Sequence, residues 1–229
     1  MRFRNREDAG EQLAQVLASY KDQQPVVLAL PRGGVPVAAV VARRLGAPLD
    51  LVFVRKIGVP QQPELAMGAV VEGEPPLVLR NPEVIGMLDI DDRDFDRVRD
   101  RELVELERRR QAYLAGRPRV DVAGRTAILI DDGVATGMSI RAAARATAAR
   151  GARPVVIAAP VAAVSVAADL RREVDAVECV EEPEDLFAIG YYYADFSQVS
   201  DEQVRRLLAE APPTAPPLAP ASAGAVPRL

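Results

Sequence analysis

"AILIDDGVATGMSI" occupies residues 127–140. A short apolar run leads into Asp131 and Asp132. A loop of small and hydroxyl residues, Gly133 to Ser139, then enters an Ala-rich segment that reads as a helix. A continuous apolar run of this length is the mark of a buried strand. Open α/β sheets place their ligands at the carboxyl ends of such strands, where this acidic pair falls. Successive backbone N–H groups, a helix N-terminus and the hydroxyls of Thr136 and Ser139 make a cradle for phosphate. Gly133 and Gly137 let the backbone come close to it. Paired negative charge beside an anion site is consistent if the two grip different parts of one ligand. A sugar phosphate does this: its phosphate sits on the amides, and its ribose hydroxyls donate to the carboxylates, with Mg2+ shared between them. Asp-Gly alone is common turn chemistry, and strand-end acids also serve phospho-acceptor domains and nucleotide hydrolases. The specific signal is the whole run from strand to helix.

Working outward, the same alternation appears on both sides. "VVLAL" (26–30) reads as a buried strand, "PRGG" (31–34) as a loop, and 35–45 as a helix stopped by Gly46 and Pro48. "DLVFVRK" (50–56) reads as the next strand, which completes a right-handed βαβ unit. "TAILID" (126–131), a helix over 138–150, "PVVIAAP" (154–160), a helix near 164–173 and "DAVECV" (175–180) repeat the pattern. An apolar stripe at Ala9, Leu13, Val16, Leu17 and Tyr20 predicts a helix over 6–20. The fold class is therefore α/β, a mostly parallel twisted sheet with helices on both faces.

Two segments break the rhythm. "ELAMGAVVEGEPPLVLR" (64–80) predicts a β-hairpin turning at residues 73–76, and 89–114 predicts a long charged helix. On that helix Asp89/Arg93 and Glu105/Arg109 fall at i,i+4 spacing, each pair adding roughly 0.2–0.5 kcal/mol. The expected organisation is one domain over 1–210, with residues 57–115 as an inserted hairpin-and-helix flap and 181–210 as a small hood. The stretch 211–229 is rich in Pro and Ala and has too few large apolar groups to offset its ordering entropy, so a disordered tail is expected.

Composition removes whole classes of chemistry. There is no histidine among the 229 residues, which excludes Ser-His-Asp and Cys-His catalysis and histidine zinc sites. Cys179 is the single cysteine, so neither an intrachain disulfide nor a thiolate metal cluster can form. A formal charge of −4 argues against a general nucleic-acid or membrane-surface binder. No apolar run approaches the roughly 20 residues that span a bilayer. "MRFRNRED" lacks the apolar stretch of a signal peptide, and a cytoplasmic protein is expected. Neither G-x-x-x-x-G-K-[ST] nor G-x-G-x-x-G occurs, against a P-loop or a dinucleotide fold.

"ILIDDGVATGMS" resembles the phosphoribosyl diphosphate (PRPP) binding motif of type I phosphoribosyltransferases, a hydrophobic run and two acids followed by a Thr-Gly-x-Ser loop. The resemblance covers residues 1 to 210, because other family elements come in the same order. "PRGG" is similar to the family's pyrophosphate loop and "VRK" to its basic pyrophosphate segment. The inserted hairpin and charged helix stand where the family carries an active-site flap. "VRKIGVPQQPELAMGAVVEG" and "YYYADFSQVSDEQV" further resemble a bacterial subgroup whose acceptor is unassigned.

The resemblance implies a Mg2+-dependent transfer of the 5-phosphoribosyl group from PRPP to a nitrogen acceptor, with release of pyrophosphate. It implies roles residue by residue. Asp131 and Asp132 would hold the ribose hydroxyls and help order the metal. Ala135, Thr136, Gly137, Met138 and Ser139 would bind the 5′-phosphate, and Gly133 would also line the substrate site. Arg32, Gly33 and Gly34 would bind pyrophosphate, and Arg55 and Lys56 would neutralise charge building on it, as a departing anion requires. Homodimers are common in such families. Ala135 departs from the pattern. In 6-oxopurine salvage enzymes this position carries an aspartate that contacts the base, so hypoxanthine and guanine are disfavoured here. Glu64 on the flap is then the candidate for acid/base help.

Tyr191, Tyr192, Tyr193 and Phe196 either pack a C-terminal cap or stack on a flat base, and Tyr192 is taken as the substrate-binding member. The alternative function is a PRPP-binding regulator without turnover. Such regulators usually bind nucleic acid, and this acidic chain shows no recognition helix. A sugar-phosphate hydrolase using water as acceptor is the third reading.

Overall fold

The computed structural model describes residues 3–73, 75–114 and 116–211. A central sheet of parallel strands runs in the order β2 (Leu49–Leu51), β1 (Val26–Ala29), β6 (Ala127–Ile130), β7 (Val155–Val161), β8 (Ala176–Glu181). The period of two along each strand sorts its side chains between two cores. Val27, Ala29, Ile128, Ile130, Val156 and Ala158 join one cluster with α1 (Arg6–Val16) and α2 (Gly34–Leu45). Val26, Leu28, Ala127, Leu129, Val155 and Ile157 join the other with α5 (Met138–Ala149) and α6 (Val164–Leu170). Both faces are covered, so the strands read as unbroken apolar runs. No helix among the described residues is long and apolar enough to cross a membrane.

The expected strand over 50–56 is two strands in two sheets. β2 ends at Leu51, and β3 (Val54–Val59) begins a separate antiparallel sheet with β4 (Gln62–Val71) and β5 (Leu77–Arg80). Val52 still donates its N–H to Ala29 O at 2.9 Å, while Phe53 O already accepts from Glu72 N at 3.0 Å, so the chain changes sheets between adjacent residues. Both are buried, and an apolar run that crosses from one core to another shows no break in pattern. Ile57, Met67 and Val70 pack into the core, and in the hairpin formed by β3 and β4 the exposed residues are 61–64 at its tip.

After β5 come α3 (Pro82–Met87) and α4 (Asp92–Leu114). Asp89 precedes α4 with φ 48°, so the expected Asp89/Arg93 helical pair does not exist. The Glu105/Arg109 pair does, at 2.9 Å. The helix at the N-terminus stops at Val16 and continues as a 3-10 turn over Ala18–Gln23, which leaves Val16 exposed. At the other end a 3-10 turn (Ile189–Tyr192) is followed by α7 (Asp201–Glu210), which Ser200 caps and which packs against α2 and α4. Ala211 is the last described residue; the rest of the expected tail, 212–229, lies outside the described residues.

A buried polar cluster joins the hairpin base to the parallel sheet. Asp50 accepts from Leu51 N and Val120 N, each at 2.9 Å, and Arg150 donates to Val120 O at 3.0 Å. Glu72 pairs with Arg119. Burial pushes the Glu72 carboxyl up to about 7, against the opposing pull of Arg119. An acid whose folded pKa is raised binds more protons folded than unfolded between about pH 4.5 and 7, so its contribution to stability falls as pH rises through that window. Glu72→Gln, neutral at every pH, should abolish this slope. Urea unfolding of both proteins at pH 5 and pH 8 should show the wild type losing about 2–3 kcal/mol more than the variant over that interval. Parallel pH profiles would contradict the assignment.

Candidate functional site

Register builds the site. Ala29 pairs with Ile130, so β1 and β6 end side by side, and Leu30 N–H continues the ladder to Ile130 O at 2.9 Å. The loops leaving the two strands, residues 31–34 and 131–133, are thereby brought together at the carboxyl edge of the sheet. Two glycines make the approach close. A Cβ on Gly34 would lie 2.5 Å from Ile130 O, and one on Gly33 would lie 2.1 Å from Asp132 Oδ2. The Pro31–Arg32 peptide bond in this loop is cis.

On the other side of the acids, the loop is stapled to the neighbouring strand. Val134 N–H donates to Val161 O at 2.8 Å, and Ala163 N–H to Val134 O at 3.2 Å. Gly137, at φ 72°, then turns the chain into α5, whose start carries no side-chain cap. A left-handed residue here demands glycine. Residues 133–140, together with Asp131 and Ile189, line a cavity of about 190 Å³. Ala135, Thr136 and Ser139 are exposed, Met138 is half-buried, and Gly133 lies under the Ile189 side chain. Unpaired N–H groups of a first helical turn facing a small cavity are suited to an anion.

The acidic pair is held from several directions. Asp132 N–H donates to Asp131 Oδ1 at 2.9 Å, Tyr193 Oη–H donates to Asp132 O at 2.6 Å, and Arg6 Nε donates to Asp132 Oδ2 at 2.8 Å. Burial, and then the charge of Asp132, hold the Asp131 carboxyl well above the usual carboxylate range. Burial also raises Asp132, and Arg6 opposes the shift. Two adjacent buried carboxyl groups, with a guanidinium on Asp132, favour the arrival of hydrogen-bond donors or a cation.

The expected cations all have carboxylate partners. Arg32 meets Asp201 at 3.3 Å, and Asp201 also accepts from Tyr113 Oη–H at 2.5 Å. Arg55 places Nε and Nη2 on Glu102 Oε2 at 2.8 and 2.6 Å, with Glu102 buried. Lys56 Nζ reaches Glu64 O at 2.9 Å and Glu64 Oε2 at 3.1 Å. Arg32, Gly33 and Gly34 thus share one edge with Asp131, Asp132 and the 133–139 loop. Arg55 and Lys56 instead sit on β3 in the second sheet, partnered by α4 and by the hairpin. They are not at the end of a parallel strand, because that strand stopped at Leu51.

The three consecutive tyrosines diverge. Tyr191 is 71% exposed, Tyr192 packs half-buried against the Phe3, Ala9 and Tyr193 cluster, and Tyr193 is buried. The tyrosine that reaches the acidic pair is therefore Tyr193, not Tyr192. Arg6 was equally invisible from sequence. It lies 126 residues from Asp132, and the pairing of residues 3–4 with 192–195 ties its segment to the hood beside the site.

A family model for the phosphoribosyl transferase domain matches residues 4–195. Over 202 residues the chain is 42% identical to proteins of Mycobacterium tuberculosis strains H37Rv and CDC 1551, whose names give them provisionally as phosphoribosyl transferases. The match takes in 88% of this chain and 45% of theirs, so the chain spans about half the length of the curated relatives it matches. The crystal structure of TT1426 from Thermus thermophilus is similar at a TM-score of 0.79 and 43% identity, covering 92% of this chain and 99% of that one.

Proposed function

The chain belongs to the phosphoribosyl transferase domain family, and from that premise we propose that it transfers the 5-phosphoribosyl group of PRPP to a nitrogen acceptor, releasing pyrophosphate. The observation that carries this reading is the packing of Gly33 and Gly34 directly onto Asp132 and Asp131, beside the 190 Å³ cavity of the Gly133–Ile140 loop. One ligand with a phosphate at one end, a ribose in the middle and a diphosphate at the other matches that sequence of groups.

In this reading the 5′-phosphate occupies the cavity on the amides of residues 135–139, with Thr136 and Ser139 adding hydroxyls. The ribose hydroxyls donate to Asp131 and Asp132. The diphosphate lies along Arg32, Gly33 and Gly34. The C1′–O bond to pyrophosphate breaks with its electron pair leaving on oxygen. The acceptor nitrogen forms the new bond to C1′ and releases its proton to solvent.

The donor set fits Mg2+. Among the described residues no group of three or more acidic or Cys side chains could hold a metal by itself, and Asp131 and Asp132 offer two oxygen-ligand side chains. That suits an ion usually held by one or two carboxylates and completed by substrate phosphates. Bound there, it would supply charge neutralisation on the diphosphate.

Magnitudes separate the cations. The Arg32–Asp201 and Lys56–Glu64 pairs are largely exposed and contribute little, so an incoming diphosphate can displace those carboxylates. Arg55 holds buried Glu102 through two nitrogens, beside Arg101 on the other carboxylate oxygen, so parting that pair costs more than parting the two exposed ones. Arg55 accordingly stays paired and fixes β3 against α4, while Arg32 and Lys56 exchange partners. The part of the flap that closes is then the exposed tip at residues 61–64, carrying Glu64 with it, because the hairpin base is core.

Pyrophosphate release from PRPP and Mg2+ with a panel of nitrogen bases tests the proposal, and at least one acceptor should give turnover. Tight PRPP binding with silence across the panel would overturn transfer and leave a regulator. Free ribose 5-phosphate would indicate water as the acceptor.

A further inference from the structure

Outside the phosphate-binding segments, one side chain touches the acidic pair with a geometry that ordinary packing does not require. Arg6, in the first turn of α1, directs both Nε and Nη2 to a single oxygen of Asp132, Oδ2, at 2.8 Å each. Its Nη1 donates to Ser197 O at 2.7 Å, and its guanidinium lies 4.0 Å from the centre of the Phe196 ring. Tyr193, from the same hood segment, holds the main chain of Asp132 through its hydroxyl. The hood segment is pinned to the N-terminus by Phe3 N–H to Tyr192 O at 2.7 Å and Ala194 N–H to Phe3 O at 2.7 Å.

We propose that Arg6 is a positioning residue for Asp132. Its fork occupies Oδ2, the oxygen lying beneath Gly33, and so presents Oδ1 to a ribose hydroxyl in a fixed orientation. This deepens the PRPP reading and rests on it. A fork locked by a carbonyl and an aromatic face holds its partner with little freedom, which a flexible ammonium does not. The pair is not explained by stability. Both side chains are about nine-tenths buried (11% exposed each), and burying two charges costs as much as their attraction returns. What such a pair does well is fix direction.

The proposal predicts selectivity along the ligand. Arg6→Met should weaken PRPP and ribose 5-phosphate roughly 10- to 100-fold while leaving pyrophosphate binding within about twofold, since only the ribose contact passes through Asp132. A polar cavity of about 210 Å³ beside Arg6, lined in part by Asn5, Ser197 and Gln203, gives water a place when the side chain is shortened. Arg6→Lys retains the charge and loses the fork, and should show the same selectivity in a protein that folds.

The measurement is isothermal titration of PRPP with Mg2+ on wild type and both variants. Ribose 5-phosphate and pyrophosphate are then titrated as competitors, and thermal unfolding is run alongside. Equal weakening of all three ligands, unchanged PRPP affinity, or tighter PRPP binding in the variants would each overturn the role of Arg6 and leave the PRPP reading standing. Wild type that binds no PRPP would overturn that reading and this inference with it.

Discussion

Asp132→Asn should lower PRPP affinity at least about 100-fold while leaving the fold intact. Asparagine has the same shape, so neither Gly33 nor the Tyr193 hydroxyl on the Asp132 carbonyl is disturbed. What disappears is charge, and with it an acceptor for a ribose hydroxyl; hydrogen bonds to charged groups contribute about 1.5–3 kcal/mol each. Arg6 does not become an orphan. It keeps Ser197 O and the Phe196 face, and the variant removes the charge that, after burial, does most to raise the Asp131 carboxyl. The melting temperature should therefore move by only a few degrees, while isothermal titration with PRPP and Mg2+ loses its signal. A variant that binds PRPP like the wild type would remove Asp132 from the proposed site.

How far this could be read in advance depends on the range of each interaction. The strands Val26–Ala29, Ala127–Ile130 and Val155–Val161 are short apolar runs bounded by Gly, Pro and acids, and burial on both faces writes them into local sequence. The acid pair, the Gly133–Ser139 loop and the two glycines at 33–34 come directly after such strands, so one inference about strand ends places them all. The change of sheet at Val52 and Phe53 left no local trace, because both residues are apolar in either sheet, and Arg55 and Lys56 therefore read as the end of a parallel strand when they lie on β3 of the second sheet. The partners Asp201, Glu102 and Glu64 were unreadable for a related reason. They come from α7, α4 and the hairpin tip, and an ion pair between distant segments has no periodicity. Arg6 is the sharpest case. "RFRNRED" looks like an ordinary charged helix start, and its tie to Asp132 is a contact across 126 residues that no local pattern records.

Gly34→Ala should disable the site through two methyl-sized contacts, and it tests the juxtaposition on which the functional reading stands. The new Cβ would lie 2.5 Å from Ile130 O and 2.9 Å from Asp131 Cα. Both are main-chain atoms at the end of a central strand, tied into the ladder on either side, so neither can give. The loop and the start of α2 must lift away from β6 instead. Overpacking of this kind costs about 1–3 kcal/mol, and a displacement near 1 Å between groups that grip one ligand can cost about 100-fold in turnover. Gly46, at the other end of the same helix, is the control. It has φ 65° with nothing within 4 Å of a Cβ, so Gly46→Ala pays only the left-handed backbone penalty of about 1–2 kcal/mol. Urea unfolding should thus place the two variants close together, while PRPP titration separates them, with Gly46→Ala binding as the wild type does. If Gly34→Ala also binds as the wild type does, the 31–34 loop does not share a ligand with the acidic pair, and the diphosphate must be held elsewhere.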